Sequence, residues 1–483
     1  MTTRRAFVFG ASAAAAAAIA QERPDEGLPD FSNCGYRDGG VALPDIQTRA
    51  TLKPEAGDAT ARIQAAIDKL DRGAVLLAKG EYEVAGTLRI HSSGIVLRGE
   101  EGTKIFGVGT KPRALIEIRG RNAGAPVGSP VRIADELVPV GARSFRIARP
   151  GVFRVGQLVL VRRIGNDAWI HEIGMDRIKG RPGVENTTRQ WQPFNLDFER
   201  TVTGVDGDRL TIDAPVFCAI EERWGGGEII AFDDSGRIRE SGVENLRGIS
   251  SFDKSVTALY GREKEKYLSD EKHASDMVAI EAANDCWVRG VSALHFSFAC
   301  VNVGRTRHIT VEDCDCREMV SEITGSRRYC FSVNGQRTLV QRCTGDTGRH
   351  DFVVGARVAG PNVFHDCKAG RSFATSEPHH RWSVGGLYDN VKANIAFQDR
   401  QYMGTGHGWS GANYVAWNCE GSLVCQKPPT ANNWAIGQIG KKEPGAFAPR
   451  EDGTWRSVGK HVSPRSLYLA QLEARRKYAA SGF

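Results

Sequence analysis

Val311-Glu312-Asp313-Cys314 is followed 29 residues later by Val340-Gln341-Arg342-Cys343, and then by Phe364-His365-Asp366-Cys367. The phrase is an apolar residue, any residue, a turn-former, then Cys or an aliphatic. It also reads Val243-Glu244-Asn245-Leu246 and Val288-Arg289-Gly290-Val291 upstream, and Tyr388-Asp389-Asn390-Val391 and Ala416-Trp417-Asn418-Cys419 downstream. From Val291 onward the last positions fall 23, 29, 24, 24 and 28 residues apart. One turn of a parallel β-helix takes about that much chain, which places the sequence among the solenoids. The first and last residues of each phrase would point into a narrow interior and stack on their equivalents one coil away. The third would sit at a bend, where Asn, Asp and Gly best tolerate a left-handed backbone; Arg342 is the exception. Cysteine is a small, readily buried apolar residue, so Cys314, Cys343, Cys367 and Cys419 read as a ladder of reduced thiols. Asp313, Asp366, Asn390 and Asn418 are then structural bend residues.

The entry to the solenoid is also legible. Ile63-Gln64-Ala65-Ala66-Ile67-Asp68-Lys69-Leu70 has helical apolar spacing, and a helix here would cover the open end of the first coil. Short β runs punctuated by Gly follow, at Ala74 to Leu77, Gly80 to Val84, Leu88 to Ile90 and Gly94 to Gly99. A helix over Ala61 to Leu70 followed by Gly80-Glu81-Tyr82 and Val96-Leu97-Arg98-Gly99 resembles the opening of pectate-lyase-like proteins. The resemblance implies an all-β, right-handed parallel β-helix. It leaves activity open among polysaccharide lyases, glycoside hydrolases, uronan epimerases, phage tailspikes and adhesins.

Five segments are expected. Residues 1–20 hold the twin arginines Arg4 and Arg5, an apolar run from Val8 to Ile19, and small residues at Ala18 and Ala20. That run is too short to span a bilayer, so it reads as a twin-arginine export signal, placing the protein in the periplasm or outside the cell. Residues 21–120 form the cap and first coils. Residues 121–240 form an inserted antiparallel β module with a hairpin turn at Asp206-Gly207. Residues 241–440 form the main β-helix. Residues 441–483 form a tail, with Ser463-Pro464 opening a docking helix over Leu467 to Tyr478. The formal charge of +7 comes from 64 basic and 57 acidic residues. Removing Arg4 and Arg5 leaves +5, which suits an anionic ligand but is too small to argue for nucleic acid.

Each coil has another strand ahead of the repeated phrase. Aligned on Gly304, Asn334, Gly355, Gly385 and Gly411, these strands place Cys300, Cys330, Asp351, Arg381 and His407 in one outward row. A second outward row holds Phe298, Arg328, Arg349, His379 and Thr405. His350 and His380 fall on the inward parity, with Tyr329 in their column. Trp191, Trp409 and Trp434 are candidates for stacking on sugar rings. Asp313 and Asp315 would make a poor oxygen cage for Ca²⁺, and no cysteine spacing fits zinc, so no metal or other cofactor is expected.

Arginines and histidines gathered in this way suit β-elimination on a uronate glycan, an acidic polysaccharide being the expected partner. Arg349 and Arg381 would neutralise the carboxylate, with Arg328 binding substrate. His379 or His407 would act as base and acid, with Tyr329, His350 or His380 at hand and Asp351 as orienter. The alternatives are a glycoside hydrolase using Asp351 with Glu322, Glu377 or Asp399, and a non-catalytic glycan-binding β-helix. Gly406-His407-Gly408 resembles a polygalacturonase element, without the carboxylate motifs that accompany it.

Overall fold

The computed structural model describes residues 27–480, and the export signal read in residues 1–20 lies outside the described residues. Strand pairing winds the chain into a right-handed parallel β-helix with three faces. The first face carries the repeated phrase. Val288 pairs with Val311, which pairs with Val340, and the column continues through Phe364, Tyr388 and Ala416. It then extends to Ala435 and Trp455, so the stack runs on into the stretch assigned to the tail. The third residues of the phrase are all left-handed, with φ of 54° at Asn245, 62° at Gly290, 54° at Asp313 and 51° at Asp366. Arg342 shares this conformation at φ 53°. It is an exception in residue type only, held by ion pairs to Asp313 and Glu312.

After each left-handed corner a short second face follows, as in Asp315–Arg317, and then a third face, as in Tyr329–Val333. Side chains from all three faces fill one continuous apolar interior. All eleven cysteines are buried and unpaired, and Cys314, Cys343, Cys367 and Cys419 stand in that interior or at its rim. Burial pushes the thiols of Cys314 and Cys343 well above their usual range. A thiol reagent is therefore expected to find less than one reactive group in the native protein and eleven after denaturation. Several fast-reacting native thiols would mean that the ladder is exposed.

The capping helix runs Thr60–Asp68 and buries Ile63 and Ile67. Asp58 fixes its start by accepting from the Thr60 amide at 2.9 Å. The inserted module is present as an antiparallel sheet built from strands between Ala125–Arg132 and Gly227–Asp233. Its hairpin turns through Gly207-Asp208, since Asp206 already pairs with Arg209. The chain leaves the solenoid after the third-face strand Ala114–Arg119 and rejoins it at Ile238–Arg239. The two ends touch, with Arg121 N donating to Gly236 O at 2.8 Å.

The module and the C-terminal helix pack on the outer side of the first face, creating a second apolar core. Strands Ala359–His365 and Ser383–Asp389 are consequently buried on both sides, which removes the polar alternation expected of a half-exposed strand. Gly385 is needed there at φ 69°, because a Cβ would stand 2.4 Å from the Phe217 ring. The helix is Leu467–Ala480, and its first turn is capped by Ser466, not by Ser463-Pro464. Ser466 Oγ accepts from the Leu469 amide at 3.1 Å and donates to Asp389 at 2.6 Å.

Candidate active site

The third face runs through Asp276–Glu281, Ala299–Val303, Tyr329–Val333 and His350–Val354 and ends at Glu377–Pro378. Up to Val354 the register is the expected one, with Val301, Phe331 and Phe352 in one column. At the next coil it is not. Val354 pairs with Pro378, so the strand ends at His379, six positions before the Gly385 used for the alignment. Arg381 and Trp382 are left-handed at φ 56° and 54° and form a corner, and Gly385 and Gly411 belong to the first face. Arg381 and His407 therefore do not stand in a strand row with Asp351.

Parity also differs at the strand start. The chain turns a corner at Arg328, φ 57°, so Cys330 and Phe331 both enter the core and Tyr329 stays outside. Asp351, the Cα neighbour of Cys330, follows it inward and is 0% exposed. It accepts from Cys330 Sγ at 3.1 Å and from Ser372 Oγ, and burial pushes its carboxyl up. Its expected role as orienter has no geometric basis. His350, in register with Tyr329, comes to the outer side instead.

What gathers at this edge is Tyr329, Arg349, His350, Glu377, His379, His380, Arg400 and His407. Arg349 Nη2 donates to Tyr329 Oη at 2.6 Å, and that oxygen lies 3.2 Å from His379 Nε2. His379 Nδ1 is 2.9 Å from Glu377 Oε1, and Arg400 Nη1 is 2.6 Å from the same oxygen. Arg400 Nη1 also lies 2.8 Å from His379 Nδ1, which raises the question of tautomer. That nitrogen forms an ion pair with Glu377 Oε1 and donates to His379 O at 2.5 Å. In the tautomer that donates from Nδ1 to Glu377, His379 presents Nε2 to the phenol as an acceptor. Thr375 Oγ1 donates to the other Glu377 oxygen at 2.9 Å.

His350 is fixed by Nδ1 donating to Thr375 O at 2.5 Å, and its ring centroid lies 4.6 Å from that of His379. His380 and His407 form the neighbouring wall, with centroids 4.9 Å apart. Burial, then Arg400, drives His379 far below the usual histidine range. Burial, then Arg381 and Arg400, lowers His380 to about 4. Burial also holds His350 and His407 well below that range, so the cluster is neutral near pH 7.

Tyr329, His379, His380, Arg381, Thr405 and His407 line a cavity of about 490 Å³ that also includes Ser332 and Asn334. Among the described residues lining it there is no carboxylate. Glu377 is 1% exposed behind His379, and Asp399 is held by Arg450 at 2.9 Å. Glu322 is exposed, outside the cavity.

The other expected ligands lie elsewhere. Arg328 is buried under the hairpin Thr257–Tyr260 and Glu265–Leu268, donating to Ser321 O at 2.7 Å between the rings of Tyr267 and Phe373. Trp191 and Trp409 are buried clamps between module and solenoid, donating to Gly406 O at 2.9 Å and Ile173 O at 3.2 Å. They hold the loop that carries His407. Trp434 sits in the first face, away from the cavity. Asp313 and Asp315 are paired with Arg342 and Arg317. His350, Glu377 and His379 have the donor types of a metal site. The Arg400 guanidinium already fills that position, and a metal ion would have to displace it.

No family model and no curated protein matches the chain. Among solved structures, it is similar to the Gp54 tailspike of Acinetobacter baumannii bacteriophage AP22, in complex with A. baumannii capsular saccharide. That match has 11% identity, covers 80% of this chain and 56% of the tailspike, and has a TM-score of 0.47. The tailspike of E. coli bacteriophage HK620, in complex with pentasaccharide, matches at 9% identity, with 86% and 57% covered and a TM-score of 0.40. Polygalacturonase from Erwinia carotovora ssp. carotovora matches at 11% identity, with 87% and 99% covered and a TM-score of 0.34. The chain spans little more than half the length of these tailspikes. Likeness at this level adds nothing to the fold seen in the strand pairing and carries no chemistry.

Proposed function

We propose that this protein is an exported polysaccharide lyase that cleaves an acidic, uronate-containing glycan by β-elimination. The observation that carries the reading is the chain of contacts Glu377–His379–Tyr329–Arg349 opening into a cavity walled by cationic and neutral groups. Glu377 fixes the His379 tautomer, so Nε2 faces the phenol oxygen as a hydrogen-bond acceptor and orients it toward the cavity. As a phenolate, its charge balanced by Arg349, Tyr329 removes the proton on the carbon next to the substrate carboxylate. The electron pair forms a carbon–carbon double bond, the bond to the leaving glycosidic oxygen breaks, and that oxygen takes the proton back from Tyr329. Arg349 stabilises negative charge on the phenol oxygen, and Arg381 neutralises the substrate carboxylate as charge spreads onto it. Hydrolysis would need two carboxyls across the bond, and the cavity walls offer none.

The test is a screen against acidic polysaccharides that follows near-ultraviolet absorbance and reducing ends together. A rise in both is expected, from a conjugated unsaturated uronate. Reducing ends without absorbance would replace elimination by hydrolysis, and silence in both on a broad panel would leave glycan binding alone. No acid limb of kcat/KM is expected near the ordinary histidine value, because burial and Arg400 suppress protonation of His379. A limb at the ordinary histidine value would show that His379 is not the acceptor.

A further inference from the structure

Beside the cavity wall at Arg381, backbone contacts bring Arg189 of the inserted module and Arg357 to the same loop, and none of these three arginines is in an ion pair among the described residues. Arg381 Nη2 donates to Thr405 Oγ1 at 2.7 Å, and its carbonyl accepts from the Arg357 amide at 3.0 Å. The Arg189 amide donates to Thr405 O at 3.1 Å, which brings the module segment to the same loop. Arg357 lies over the Phe194 ring at 4.2 Å, which fixes the direction of its guanidinium. Burial and then Arg189 lower Arg381, and burial and then Arg381 lower Arg357, as like charges at close range do.

Among the described residues none of the three has an acidic partner. Elsewhere this chain pairs its arginines readily, as with Arg162 to Asp197 at 2.7 Å and Arg305 to Glu281 at 2.7 Å. Three unneutralised cations gathered by two separate parts of the chain repel one another, and a bound anion relieves that repulsion. Arg349 is engaged with Tyr329, so it does not complete this group.

We infer that Arg189 and Arg357, beside Arg381, form a second anion subsite, which takes the carboxylate or sulfate of a sugar adjacent to the one whose carboxylate Arg381 neutralises. The inference rests on the elimination reading for what that sugar is attached to, but not for the binding itself. It makes the substrate polyanionic on neighbouring sugars, and it makes the module part of the recognition surface.

Calorimetric titration of inorganic sulfate into the full chain at low ionic strength tests this directly. Saturable binding is expected, weakened about tenfold in Arg189→Gln and in Arg357→Gln, and unchanged in Tyr329→Phe. Equal affinity in wild type and both variants, or no saturable binding, would overturn the subsite. Arg189 is exposed, so its variant tests the site even if Arg357→Gln loosens the packing on Phe194. Repeating the titration on Tyr329→Phe protein with oligogalacturonate and with chondroitin sulfate oligosaccharides separates the two anions. A loss on Arg189→Gln with both ligands assigns the carboxylate, and a loss confined to the sulfated ligand assigns sulfate. Because binding is read without turnover, it survives failure of the lyase reading. Conversely, unsaturated product formed with unchanged KM by Arg189→Gln would remove only the subsite.

Discussion

Replacing Tyr329 by Phe is expected to lower kcat/KM on a susceptible uronate glycan by about 10²- to 10⁴-fold, with almost no change in melting temperature. The ring stays, and with it the contacts to Phe298 at 5.2 Å and His350 at 5.6 Å. Only the oxygen between Arg349 and His379 is lost, and in the proposed reaction every transferred proton passes through it. Arg349 is half-buried, so water can replace the missing acceptor and stability is little affected. Steady-state rates on the best substrate of the polysaccharide screen, with thermal melts of both proteins, measure the effect. A rate within a few-fold of wild type would move the proton transfer to His380 or His407. A rate loss accompanied by a large drop in melting temperature would make Tyr329 a packing residue.

Asp213→Ala should produce the largest loss of stability, about 3 kcal/mol or more at neutral pH. Asp213 accepts two hydrogen bonds from Arg337, at 2.7 and 2.8 Å, and the Arg337 side chain is fully buried between module and first face. Asp38 reaches one guanidinium nitrogen at 3.2 Å and would compensate only in part. Burial alone would raise the Asp213 carboxyl, but Arg337 overrides it and holds it far below the usual carboxylate range. A carboxyl lowered in the folded state stabilises above its unfolded pKa and loses that contribution as pH falls through the folded value. The gap between wild type and variant should thus be constant near neutrality and narrow below about pH 4. Denaturant unfolding at several pH values checks this. A gap that does not change with pH would mean that lost packing, not charge, is being measured.

The solenoid was legible because its signal is local and repeated. Each phrase sets an inward residue, a left-handed corner and a second inward residue, and the corner is met even at Arg342. The site was only partly legible, for two physical reasons. Strand parity holds only inside a strand, and Tyr329 and His350 stand at corners, where Cys330 and Asp351 take the inward side. A glycine after an alternating run also looks like a strand end wherever it falls. Gly385 is instead required by Phe217 pressing on the first face from the module, which no local pattern reveals. Glu377 and His379, two apart, could have been read as neighbours on one strand face, and that spacing was the missed signal. Arg400 carries no such mark, because it reaches Glu377 from a separate loop.

The point where the module joins the solenoid has an evolutionary meaning. The chain departs at Arg121 and returns at Gly236, the two ends joined by hydrogen bonds from Arg121 to Gly236 and from Arg237 to Ala123, while the coils on either side keep their pairing, with Ile118 against Ile280 and Val96 against Gly242. In the register of the stack the whole excursion counts as one loop, although its packing covers the first face. A lineage can lengthen or trade parts of this cassette without re-registering any coil, provided that Phe217 and Asp213 still meet the first face. The register of the coils and the cover over the first face are thus set by separable stretches of one gene.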